Sequence, residues 1–125
     1  MILFQPPEGS VLYCDYYGFK VPEMIKKRPV IVTRRHRQNR KLVTVVPISL
    51  SKPAMLQNYH IPMKEEFCRE HLDGKQSWVK CDMLNVVSID RLYQVKHKNK
   101  KRDIPKVDAI YLELVKIGIK ESQDL

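Results

Sequence analysis

Two stretches of this chain are apolar and β-branched at nearly every position, with no helical spacing between polar ones. The first is Arg28-Pro29-Val30-Ile31-Val32-Thr33 and the second Leu42-Val43-Thr44-Val45-Val46-Pro47-Ile48-Ser49. Each reads as a strand buried on at least one face. The polar connection between them predicts a turn, and antiparallel pairing sets the start of the first strand, Arg28, beside the end of the second, Ser49.

The rest of the pattern fills in around this hairpin. An extended lead-in ends at Pro6-Pro7-Glu8-Gly9, and residues 11–17 alternate well enough for a first strand. Residues 18–25 mix glycine, proline and apolar side chains and predict a flap. Residues 59–63 read as a short strand, with Pro62 marking an edge or a bulge. Residues 65–72 read as loop or a single helical turn ended by Asp73-Gly74. Residues 77–87, around the lone Trp78, predict one long strand, which puts Lys80 and Asp82 on one face. Ser88 to Leu92 suggests a capped turn, and residues 93–96 a last strand. Ile104, Val107, Ile110, Tyr111, Leu114, Val115 and Ile117 recur at helical spacing and predict a core-facing helix over 104–117. Asp103 would cap it, Pro105 would lie in its first turn and Gly118 would close it. Many short strands plus a terminal helix make a single, mainly β domain over 1–125, with a small curled sheet or barrel over about 9–96.

Composition adds little to the fold and more to the partner. At 125 residues the chain can bury about 65–70% of its unfolded surface without staples. No apolar run approaches the ~18 residues of a membrane span, and Met1 to Pro7 lacks a basic leader, so a cytoplasmic location is expected. Cys14, Cys68 and Cys81 are odd in number and unpatterned, as reduced thiols would be. Cys68, His71 and Cys81 offer three zinc-type donors, but the C-x2-H pair lacks a matching second pair, and no metal or cofactor is expected. The net charge of +9 is concentrated: Lys26 to Lys41 holds eight Lys/Arg and no acid, and a basic loop over 96–102 holds five more. Like charges packed so closely call for a polyanionic partner, and neither segment has the apolar anchors of a membrane-surface helix.

No G-x-S-x-G, H-E-x-x-H, Gly-rich phosphate loop or D-x-D cluster is present, so any catalysis rests on scattered groups. RNA supplies its own nucleophile, the 2′-hydroxyl. Cutting it requires a base, stabilisation of the charged phosphorane and a proton for the 5′-oxygen. A guanidinium fork next to a hydroxyl suits a phosphodiester, which singles out Arg28 and Ser49, with Ser51 an equal competitor. Lys80 and Asp82 offer a cation and a carboxylate. Arg34, Arg35, His36, Arg37, Arg40 and Lys41 offer phosphate contacts, and Phe19, with Tyr16 and Tyr17, a surface for unpaired bases.

The ordered set Gly9, Asp15, Gly18, Glu23, Arg28-Pro29-Val30 and Val46-Pro47-Ile48-Ser49, extended by Trp78-Val79-Lys80-Cys81-Asp82, resembles the PemK/MazF family of bacterial toxins over residues 7 to 93. The resemblance implies an SH3-like barrel, related to the CcdB type, that dimerises, cuts single-stranded RNA and is held inactive by an antitoxin. It places Arg28 where the family has its catalytic arginine and Ser49 where threonine is usual. Lys80-Cys81-Asp82 is similar to an Arg-Cys-Asp segment whose basic and acidic members take part in cleavage. Glu23 and Lys27 join the RNA-binding set on the same footing. The chain departs from the PemK/Kid branch at Pro22, which stands where a histidine precedes the acidic flap residue. Two other functions fit the same residues: a non-catalytic toxin of this fold that binds a protein target such as gyrase, and a plain nucleic-acid-binding module.

Overall fold

The computed structural model describes residues 1–94 and 104–125; the basic loop over 96–102, His97 and Asp103 lie outside the described residues. In chain order the elements are β1 (Val11–Cys14), β2 (Arg28–Arg35), β3 (Leu42–Ser49), β4 (His60–Pro62), α1 (Glu65–His71), β5 (Trp78–Lys80), β6 (Asn85–Ser88), β7 (Leu92–Gln94) and α2 (Ala109–Ser122). The seven strands form one antiparallel sheet in the order β4-β5-β3-β2-β1-β7, with β6 also paired to β3. It is curled but not closed.

The two β-branched runs form its centre because both of their faces are buried. Ile31, Val46 and Ile48 point into a cluster shared with Val79, Cys81 and the α2 residues Tyr111 and Val115. Val30, Val32, Val43 and Val45 point the other way, onto Leu12, Tyr16, Val87 and Leu92. Two-sided burial explains why these strands read as continuous apolar runs rather than as alternation.

The long strand expected over 77–87 is instead two strands on the same edge of β3. β5 pairs with Ile48 and Ser49, β6 pairs with Leu42 to Val45, and a 3₁₀ turn at Cys81–Met83 separates them. The break exists because Val79 packs beside Ile48 in one core and Val87 beside Val43 in the other, a change of face that one continuous strand cannot make, and Cys81 is fully buried at the turn. Lys80 therefore ends a strand while Asp82 lies in the turn, and the two do not share a strand face. Residues 65–71 form a two-turn helix, stopped where Asp73 and Gly74 take positive φ (56° and 72°).

The terminal helix also differs from its expectation. Residues 104–107 are extended, since Val11 N donates to Pro105 O (2.8 Å) and Val107 N to Gly9 O (3.0 Å). Asp108, not Asp103, is the cap, its carboxylate accepting from Tyr111 N at 2.7 Å, and the helix continues past Gly118 to Ser122. Tyr111, Val115 and Gly118 face the core, whereas Ile110, Leu114 and Ile117 are 79%, 47% and 48% exposed. The periodic stripe thus covers two faces of the helix, only one of them buried. No helix among the described residues is long and apolar enough to cross a membrane.

Gly118 is mid-helix because a Cβ there would lie 2.8 Å from Cys81 Sγ. Alanine gains about 1 kcal/mol over glycine in a helix, against about 1–3 kcal/mol for overpacking. Gly118→Ala should therefore destabilise the chain by about 1 kcal/mol in urea unfolding. Added to Cys81→Ala, it should instead stabilise by about 1 kcal/mol, and equal effects in both backgrounds would refute the contact.

Burial pushes the Cys14 thiol from its ordinary 9.0 to about 11, with nearby Arg91 opposing, and pushes Cys81 to about 12, helped by the negative charges of Asp82 and Glu121. The native chain keeps these protons after the unfolded chain has lost them, so stability must fall as pH rises. The thiol contribution is intact below about pH 9 and is lost toward pH 12. Urea midpoints taken between pH 8 and 11 should fall more steeply for the parent than for Cys14→Ala/Cys81→Ala; parallel slopes would exclude the thiols as the cause.

Candidate functional site

The sheet register decides which candidates can meet. Val30 pairs with Pro47, and the same register carried two residues further sets Arg28 level with Ser49. On the opposite edge of β3, Ser49 pairs with Trp78, and across β5 Trp78 pairs with Pro62 and Lys80 with His60. Directly paired residues share a face and alternate ones return to it. Arg28, Ser49, Trp78, Lys80 and His60 consequently project from the face opposite Ile48 and Val79, the face that α2 does not cover. All five are partly exposed, so this end of the sheet is an open rim rather than core.

Within the rim, the Ser49 hydroxyl donates to Ser51 O at 2.8 Å and receives Ser51 N at 3.4 Å. It is held in a local turn, and acting on a ligand requires it to rotate away from that carbonyl. Asp82 reaches the rim from the 3₁₀ turn, with Oδ1 3.9 Å from His60 Nε2. Gln57 N donates to His60 Nδ1 at 3.0 Å, leaving the ring proton on Nε2, toward the carboxylate. His60 is a rim residue that nothing in the sequence singles out. Its neighbours in sequence carry no catalytic signal, and only the β4–β5 register joins it to Lys80 and Asp82.

The flap follows β1 and leads back to Arg28. Arg91 ties it down: one guanidinium nitrogen donates to Asp15 O (2.9 Å) and Tyr17 O (2.8 Å), and the group lies 5.1 Å from the Phe19 ring centre. Phe19 also meets Tyr16 edge-on at 5.3 Å and is partly buried, so Tyr17, 83% exposed, is the aromatic that the flap presents to solvent. Glu23 is exposed and accepts from Lys20 N through its carboxylate (2.9 Å). Lys27 turns to the helix side, 4.6 Å over the Tyr93 ring, in a hollow with Tyr13, His71 and Asp73.

The basic connection does not join the rim. β2 runs from Arg28 to Arg35, and seven steps of ~3.3 Å separate its ends by about 23 Å. Arg34, Arg35, His36, Arg37, Arg40 and Lys41 all belong to the far end. There His36 Nδ1 accepts from Gln38 N and Asn39 N (3.3 and 2.9 Å), which makes it a turn-forming residue. Among the described residues no three His, Cys, Asp or Glu side chains converge as a metal site would require.

The sheet and its helices have known relatives. A family profile described as "PemK-like, MazF-like toxin of type II toxin-antitoxin system" matches residues 8–115. An uncharacterised Haemophilus influenzae protein is 29% identical over 108 residues, spanning 78% of this chain and 76% of its own. Among solved structures, the Mycobacterium tuberculosis toxin MazF-mt6 superposes with a TM-score of 0.63 at 20% identity, covering 93% of this chain and 97% of that one. MazF from Deinococcus radiodurans gives 0.67 at 13% identity (96% and 97% covered). A mycobacterial endoribonuclease in complex with its cognate antitoxin gives 0.64 at 16% identity, with 96% of each chain covered. At these identities the structures establish the shared fold.

Proposed function

The chain belongs to the PemK-like, MazF-like toxins of type II toxin–antitoxin systems, and we propose that it is an endoribonuclease that cuts single-stranded RNA at the open rim. The observation that carries this reading is the register that sets Arg28, Ser49 and Lys80 on one uncovered face, next to the His60–Asp82 pair. In the proposed reaction the RNA 2′-hydroxyl attacks its own phosphorus and gives its proton to Asp82, positioned by His60 and flanked by Lys80. Arg28 stabilises the charge that builds on the phosphorane oxygens and supplies the proton that the departing 5′-oxygen takes up. Ser49, turned from the Ser51 carbonyl, orients a non-bridging oxygen. The P–O5′ bond breaks, leaving a 2′,3′-cyclic phosphate and a 5′-hydroxyl, and since the substrate carries the nucleophile no metal is needed. The flap residue Tyr17 holds a flanking base, Phe19 backs the flap through its contact with Arg91, and Glu23 contributes to selecting the sequence cut.

The partners follow the family. The exposed stripe Ile110, Leu114 and Ile117, spaced i, i+4 and i+7 on α2, supports homodimerisation through this helix. An antitoxin protein would hold the toxin inactive in the cytoplasm, as a cognate antitoxin accompanies the mycobacterial endoribonuclease of the same fold. The same stripe is what a toxin acting on a protein target would use, and such a toxin leaves RNA intact.

Purified protein incubated with a long RNA in EDTA should yield discrete fragments with cyclic phosphate ends. Arg28→Ala should lower the rate by about 10²–10³, and a 2′-deoxy nucleotide at the cut site should abolish cleavage. Intact RNA would favour the protein-target reading, and cutting at the deoxy position would exclude the 2′-hydroxyl mechanism. In sedimentation, the parent should have twice the 14.8 kDa chain mass. Ile110→Asp/Leu114→Asp should run as a folded monomer, and a persistent dimer would place the interface elsewhere.

A further inference from the structure

The far end of the β2–β3 hairpin is as organised as the rim, although it lies about 23 Å away along β2. Arg34, Arg35, Arg37, Arg40 and Lys41 are exposed there, and none is in an ion pair with a carboxylate of the described residues. The backbone beneath them is fixed from several directions. The Gln5 side-chain amide donates to Leu42 O (3.0 Å), His36 O (3.2 Å) and Asn39 O (3.4 Å), filling the mouth of the turn. Asn39 Oδ1 accepts from Lys41 N (3.0 Å), and the Arg35 guanidinium donates to Pro6 O and Gln5 O (3.0 and 2.9 Å). Ile2 anchors the start of the chain by donating to Leu92 O (2.9 Å) and burying its side chain.

The N-terminal segment is therefore laid across the hairpin, and it leaves Leu3 86% and Phe4 49% exposed. These two line a hollow of about 660 Å³ together with Arg40, Lys41 and Ile89. An aromatic ring and an aliphatic floor next to exposed cations form the combination that binds unpaired bases and their phosphates. An acidic peptide would use the cations but has no need of the ring. The backbone that carries these cations is held in one shape, so binding has less backbone freedom to remove.

We propose that this hollow is a second binding site for single-stranded nucleic acid, in which Phe4 stacks on a base while Arg40 and Lys41 hold phosphates. It deepens the nuclease reading, on which it rests for its use but not for its binding: a strand cut at the rim is held again at the other end of the same hairpin. Long substrates then engage both sites, and short ones only the rim.

The test uses the full chain carrying Arg28→Ala, so that RNA survives, and follows anisotropy with uridine oligonucleotides of about 5 and about 20 nucleotides. The long one should bind at least roughly tenfold more tightly. Phe4→Ala should remove roughly tenfold of that advantage. Arg40→Glu/Lys41→Glu should remove it entirely and lower the salt slope by about 1.4, the value for two phosphate contacts on a single strand. A bromouridine placed in the long oligonucleotide should cross-link to Phe4. Unchanged long-to-short ratios, or cross-links confined to the rim, would overturn the proposal. Loss of poly-glutamate binding in the charge-reversed chain with RNA binding untouched would also overturn it and assign the surface to an acidic protein. Loss of the ratio in these variants, alongside a parent chain with Arg28 intact that never cuts RNA, would keep this site and remove the nuclease instead.

Discussion

Burial of the β2–β3 hairpin on both faces is the constraint from which the site follows. In a sheet with one wet face, a slip of one residue exposes one set of side chains. Here Val30 and Val32 occupy one core and Ile31 the other, so a slip disrupts two packed layers at once. The register is therefore fixed far more strongly than the rim residues themselves could fix it. Arg28 and Ser49 are partly solvated groups with no mutual bond among the interactions seen, and they are level because the valines behind them have no alternative position.

The second constraint is the divided edge of β3. If residues 77–87 formed one strand along that edge, Lys80 and Asp82 would project together, and Val79 and Val87 would share one face instead of packing in opposite cores. The 3₁₀ turn sends Cys81 inward and swings Asp82 out toward His60. The buried Cys81 thiol and the Asp82 carboxylate facing His60 thus sit on adjacent residues of one turn. Gly118 is part of the same arrangement, because the space that Cys81 occupies is the space a helix side chain would need.

How much of this was legible depends on the range of the interaction. Arg28–Arg35 and Leu42–Ser49 were readable because their signal is local: β-branched side chains in unbroken runs flanked by a polar turn. Pro62 at an edge, the Ser88 cap and the Asp73-Gly74 stop were readable for the same reason. The start of α2 was not. Residues 104–107 have helical periodicity, yet β1 offers their backbone partners, and tertiary hydrogen bonds outweigh propensity. His60 was unreadable as a rim residue because its meaning lies in pairing with Lys80, twenty positions away, and nothing in Tyr59-His60-Ile61 encodes that partner. Phe19 was readable as a flap aromatic, but its ring is occupied by Arg91, which is seventy-two positions distant.

The placement of charge carries the argument one step beyond the local site. Composition alone treats the cations from Lys26 to Lys41 as one basic segment, and the fold divides it. β2 is a spacer with a buried middle and an irregularity between Val32 and Arg34, with Arg28 at one end and the Arg34–Lys41 group at the other. A polyanion that satisfies both ends must be extended along the sheet, since a compact anion can reach only one. Flexible single strands meet that demand at small cost, whereas a duplex would present its phosphates on a rigid curved surface. The separation of the two cationic ends, more than their number, thus favours the proposed ligand, an extended unpaired strand.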